Sequence, residues 1–118
     1  MQTTEEKAKT TLKEADVILS SRVCANAAAN RYYFAVIQMV YCFQVRKGLP
    51  DNPRAKGGNH EHAHRIIKNN MERHHRRTLN DINNLRVKAD YKSTNVSNDD
   101  LSINLIQNVK GLFEALAS

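Results

Sequence analysis

Residues 25–43 read ANAAANRYYFAVIQMVYCF, and their pattern decides the fold. Apolar side chains recur at helical spacing along Ala27, Phe34, Ile37, Tyr41 and Val45, and a second set (Ala28, Tyr32, Ala35, Met39, Cys42) fills the opposite side. A helix that is apolar around most of its circumference is one surrounded by neighbours. The alanines at 25, 27, 28 and 29 let other helices approach closely, and the bulkier residues after them fill the space between helices. Asn26, Asn30, Arg31 and Gln38 interrupt the run, which holds no unbroken apolar 18-mer and is not a membrane span. It reads as the central helix of a small bundle.

The neighbours follow from the rest of the pattern. A first helix is predicted over residues 4–20, capped by Thr3 with Glu6 at capping-box spacing and carrying Ala8, Leu12, Ala15 and Leu19 as its stripe. The central helix spans 22–47 and is ended by Gly48 and Pro50. Residues 48–59 form a positively charged loop, with two prolines, three glycines, Arg54 and Lys56. A third helix begins at Asn59 and runs to Arg73 on Ala63, Ile66, Ile67 and Met71; a fourth covers 78–91 on Leu79, Ile82, Leu85 and Ala89. Between them lies Arg73-His74-His75-Arg76-Arg77, with no glycine or proline to say whether the chain bends or breaks there. A polar loop over 92–97 leads to a second capping box, Ser97 with Asp100. A last helix over 98–117 then carries Leu101, Leu105, Ile106, Val109, Leu112, Phe113 and Leu116. With 118 residues, four glycines, two prolines and no tryptophan, the chain reads as one all-α domain, large enough for a core of its own.

Cys24 and Cys42 fall on one predicted helix, roughly 27 Å apart at about 1.5 Å per residue and beyond disulfide reach. They read as reduced core residues. Residues 1–16 are polar and of mixed charge, without the apolar stretch of a signal peptide, so a cytoplasmic location is expected.

The net charge of +6 is unevenly spread. Residues 22–88 carry thirteen Lys and Arg against four Asp and Glu, while both flanking segments are slightly acidic. A basic middle of this kind attracts polyanions, nucleic acid first among them. Its candidate phosphate-binding edge is Arg65, Lys68, Arg73, Arg76 and Arg77. Asn30 and Arg31, polar groups on a helix that packs all round, either bond neighbouring helices or line a site, whereas Asn26 reads as structural. His60 and His64 stand four residues apart and share a helix face as zinc ligands can, but no third ligand is identifiable, so they read as polar surface groups or site-facing groups on the basic edge, without a metal. Arg86 lies beside an apolar stripe with Asp90 one turn on, either as a buried ion pair or as a positioned functional cation.

Taken together, these features resemble the HEPN family (higher eukaryotes and prokaryotes nucleotide-binding domain), and in particular its small stand-alone prokaryotic members, found beside minimal nucleotidyltransferases or in defence loci. Three patches carry the resemblance: Asn30-Arg31-Tyr32-Tyr33-Phe34-Ala35, the His-rich opening of the third helix ending in Ile66-Ile67, and Leu85-Arg86-Val87-Lys88-Ala89-Asp90-Tyr91. The resemblance implies an up-and-down bundle of four to five helices that forms a homodimer. It also implies a place in a toxin–antitoxin or antiphage system, binding RNA, a nucleotide or a partner protein such as a cognate nucleotidyltransferase. Catalytic members are metal-independent ribonucleases that use an Arg-x4–6-His motif and no cofactor. This chain keeps Arg86 but has Tyr91 five residues on, with no histidine at positions 90–92. The candidate catalytic set is therefore Arg86 with Asp90 and Tyr91, or Arg86 with a histidine of the third helix. The alternatives to a binding module are such a ribonuclease toxin and a structural dimeric subunit of a larger complex.

Overall fold

The computed structural model describes residues 3–22, 24–49, 59–91 and 96–118, apart from the side chains of Asn59, Asp90 and Tyr91. The predicted loop reading over 50–58 and that over 92–95 lie outside the described residues. What is described is all-helical: α1 (Thr4–Ser21), α2 (Ala25–Arg46), α3 (Asn59–Asn70), α4 (Arg73–Tyr91), a single 3-10 turn at Asn98–Asp100, and α5 (Ile103–Ala117). The fold is an all-α bundle, and α2 is its centre: it packs against each of the four other helices. Ala28, Ala29, Tyr32, Tyr33, Ala35, Val36, Met39 and Val40 are all 0% exposed, which is why this helix carries almost no charge along its length.

Each helix end has a local cause. The Thr3 hydroxyl accepts the Glu6 N–H, and the Glu6 carboxylate accepts the Thr3 N–H in return, so the predicted capping box opens α1. At the far end Arg22 takes the left-handed conformation, φ 56°. α2 closes in a Schellman arrangement. Gly48, φ 65°, donates to the Val45 carbonyl and Leu49 to that of Gln44, a turn that favours glycine because the left-handed region crowds a Cβ. Among the described residues no helix is long and apolar enough to cross a membrane.

Several boundaries differ from the sequence reading. α3 ends at Asn70, where the Asn70 side-chain amide turns back to donate to the Ile66 carbonyl one turn earlier. The chain starts again at Arg73, with the Glu72 carbonyl accepting from His75 and Arg76. The basic run 73–77 is thus the opening of α4, neither a linker nor the tail of α3. The second capping box, Ser97 with Asp100, opens the 3-10 turn instead of the last helix, and α5 has its own N-cap in Ser102. Cys24, expected in the core, is exposed and caps α2 with its sulfur; Cys42 is half-buried, and both are free thiols. Val45 is 81% exposed at the rim of a cleft of about 360 Å³ between the start of α1 and the last turn of α2.

Asn26 has the structural role its setting suggested, accepting the Val96 N–H at 2.8 Å and tying α2 to the segment before the 3-10 turn. On the α1 side, Tyr32 donates its hydroxyl to Asp16 at 2.5 Å, and the same carboxylate meets Lys110 of α5 at 3.0 Å. Burial and the Asp16 charge together push the Tyr32 phenol far above its ordinary range, so it keeps its proton and stays a donor.

Candidate functional site

Successive residues on a helix point about 100° apart, so Tyr33 faces away from the α1 side that Tyr32 serves. Its hydroxyl is 3.0 Å from Nδ1 of His60 and 3.0 Å from Nε2 of His64. The i,i+4 spacing on α3 puts both rings on one face, and that face closes over α2. The Tyr33 and His60 rings stack at 5.4 Å between centroids, and the edge of Phe34 meets His60 at 5.5 Å. From α4 the Arg86 guanidinium lies over the Tyr33 ring, 4.6 Å from its centroid, a cation–π contact. One Arg86 Nη donates to the side-chain oxygen of Asn83 one turn earlier, at 2.8 Å, which aims the guanidinium.

The electrostatics follow from this packing. Burial, and then the Arg86 charge, lower the His60 pKa; burial, then His60 and Arg86, lower that of His64. Both imidazoles are therefore neutral at neutral pH and have a lone pair to offer. Burial raises the Tyr33 pKa, with Arg86 opposing the rise, so the phenol holds its proton. Two neutral imidazoles, a phenol and a fixed cation make a site suited to moving protons beside a negatively charged group. Among the described residues no group of three or more His, Cys, Asp and Glu forms a metal-holding cluster.

Beside this cluster a groove of about 760 Å³ runs between α3 and α4. Its walls include Arg65, Lys68, Arg73, Arg76 and Arg77, with Asn69 and Asn80 as uncharged polar members and no carboxylate among the described residues. His64 lines it too, so one residue belongs to both groove and cluster. The groove exists because α3 stops at Asn70 and α4 begins three residues later, which turns the basic opening of α4 back toward the exposed face of α3. Arg65 also meets Glu61 at 3.4 Å, a half-exposed i,i+4 pair of little energetic weight. The Arg76 Nε is buried with no hydrogen-bond partner among the described residues. His74 and His75, on the same run, pack ring against ring at 3.9 Å, and burial with the His74 charge lowers the His75 pKa.

The structure thus brings together two of the residue sets singled out from sequence: the five basic residues in the groove, and His60, His64 and Arg86 in the cluster. Arg31 lies elsewhere, exposed on α2 and 3.8 Å from Glu14 of α1. Asn30 is half-buried on the same helix. The expected Arg86–Asp90 pair and the side chain of Tyr91 fall outside the described residues; both positions belong to the last turns of α4. Tyr33 and Asn83 had no candidate role in the sequence reading. The signal for Tyr33 was present, since a tyrosine on an all-round buried helix needs a partner for its hydroxyl. Compared with known proteins, the chain matches no family model, no curated protein and no solved structure.

Proposed function

We propose that this chain binds the phosphodiester backbone of RNA along the α3–α4 groove. The observation that carries the reading is the groove wall itself: five Lys and Arg side chains, no carboxylate among the described residues, and a length of two facing helices over which successive phosphates can be met. The likeness to HEPN proteins adds the wider proposal of a homodimeric toxin–antitoxin or antiphage component with a nucleotidyltransferase or other defence protein as mate. The test is binding of a labelled single-stranded RNA by fluorescence anisotropy across a salt series, with Arg76→Gln/Arg77→Gln alongside. Each phosphate contact contributes about 0.7 to the slope of log K against log salt for single strands, so losing two lowers the slope by about 1.4. A slope that is flat, or equal in both proteins, rejects the groove as the RNA site.

A second reading, a metal-independent ribonuclease, is favoured by a different observation: two neutral imidazoles share one phenol under Arg86, and one of them opens onto the groove. In this reading a histidine takes the proton of an attacking 2′-hydroxyl, and Arg86 offsets charge gained on phosphorus. Incubation of RNA with the protein and a chelator, beside Arg86→Ala, tests it. Cleavage that the variant loses supports the reading, and an intact substrate with well-folded protein removes it.

A further inference from the structure

We propose that Tyr33 is a proton bridge that makes His60 and His64 complementary, so that whenever one presents a proton acceptor at its outward nitrogen the other presents a donor. The inference rests on the ribonuclease reading for its use, but not for its geometry. It makes Tyr33 a positioning residue, acting through the two rings.

A phenol has one proton and can donate to one nitrogen at a time. Its oxygen is 3.0 Å from a nitrogen of each ring, so the nitrogen that does not receive the proton must itself carry one and donate back. Arg86, above the ring, has only donors and cannot take the phenol proton instead. A neutral imidazole carries a single N–H, which leaves two arrangements. In the first, Tyr33 donates to His60 Nδ1 and accepts from His64 Nε2. His60 then shows an outward Nε2–H and His64 an outward bare Nδ1. In the second, Tyr33 donates to His64 Nε2 and accepts from His60 Nδ1, and the outward roles are exchanged. In both, the two rings hold the same tautomer, either both Nε2–H or both Nδ1–H. An acid and a base are present together in each.

The same bridge resets the pair. Suppose the bare outward nitrogen takes a proton from a substrate hydroxyl while the other ring gives its outward proton to a leaving oxygen. The transfers are concerted, because a ring stripped of both protons would be an imidazolate, far too basic to form at neutral pH. The protonated ring passes its inner proton to the phenol oxygen as the phenol passes its own to the other ring. Both rings are again neutral, in the alternative arrangement, with no net gain or loss of protons. A phenol held firmly protonated suits this concerted exchange, since it never has to exist as a phenolate.

The experiment is two-bond proton–nitrogen correlation NMR on 15N-histidine-labelled protein, without RNA, at a pH where both rings are neutral, for the wild type and Tyr33→Phe. A melting curve confirms that the variant, which keeps the ring, is folded. The bridge requires matched tautomers at His60 and His64 in the wild type. In Tyr33→Phe each ring should take its own ratio of tautomers. Opposite tautomers in the wild type overturn the proposal, as does a pair unchanged by the loss of the hydroxyl. Because no substrate is involved, matched tautomers in a protein that cleaves nothing sink the ribonuclease reading and leave the bridge standing, and cleavage with opposite tautomers does the reverse.

Discussion

Tyr32 and Tyr33 are neighbours in sequence, both wholly buried, and each spends its hydroxyl on the chain's own side chains; yet the two ends they serve differ in kind. Tyr32 meets a carboxylate that is itself held by Lys110, so donor, acceptor and counter-charge are all accounted for by α1, α2 and α5. Tyr33 meets two imidazoles, each with a second ring nitrogen that the phenol does not occupy, under a cation that hydrogen-bonds Asn83. A closed network fixes a fold, whereas an open one holds capacity for a ligand in reserve. The contrast teaches that burial of a tyrosine does not distinguish core from site; the chemistry of its partner does.

The comparison makes its largest prediction in stability. Tyr32→Phe leaves Asp16 with only Lys110 and should cost about 2 kcal/mol, as hydrogen bonds to charged groups do. Tyr33→Phe should cost less, about 1 kcal/mol, because its bonds join neutral groups and the half-exposed rings can turn to water. Urea denaturation of both variants measures the difference. If Tyr33→Phe proves the more damaging, the two ends have been assigned the wrong way round, and the histidine cluster is a piece of core.

The same pair shows how far sequence could be read. That α2 lies at the centre was legible, because an apolar pattern around a whole helix has one physical meaning. The Thr3–Glu6 and Ser97–Asp100 caps were legible because each motif is local. The end of α3 was not: no glycine or proline marks it, and the apolar spacing Ile66, Ile67, Met71 runs straight through it. With that end misplaced, the basic run 73–77 had no orientation, and the groove it forms with Arg65 and Lys68 was invisible as a groove, though its residues were named. In the cluster, His60, His64 and Arg86 stood out as residue types. Tyr33 did not, because an aromatic residue in an apolar run fits the core pattern, and only the packing of α3 on α2 shows what its hydroxyl touches. Arg31 stood out for the opposite reason: a charge on a buried helix is conspicuous, and here it lies on the exposed side, beside Glu14.

A smaller effect should appear with pH. Burial and Arg86 hold His60 and His64 below the ordinary imidazole value of 6.5, with Tyr33 from α2 and Arg86 from α4 facing them. The unfolded chain therefore takes up protons that the folded one resists. The stability these rings contribute is fully present above pH 6.5 and is lost as pH falls through their folded values. Melting temperature should thus decline between pH 7.5 and 5.5, and His60→Asn/His64→Asn should flatten part of the decline. His75, lowered by burial and by His74, keeps the remainder. Arg86→Ala removes a repelling cation, so histidine NMR titrations should show both rings moving up toward 6.5. Rings that do not move would mean that Arg86 does not act on them.

The smallest effect belongs to the closed end. Lys110 and Asp16 are both more than a third exposed, so their 3.0 Å contact is well screened by solvent. Lys110→Ala should cost under about 1 kcal/mol, and the loss should shrink as salt rises. Asp16 still has the Tyr32 hydroxyl, a bond that lies against the buried face and owes little to the lysine. Denaturation at two salt concentrations checks this, and a salt-independent loss larger than that of Tyr32→Phe would show that the ion pair, rather than the phenol, anchors α1 to the bundle. Lys110 would then be the structural charge of this end, set beneath a tyrosine that only fills space.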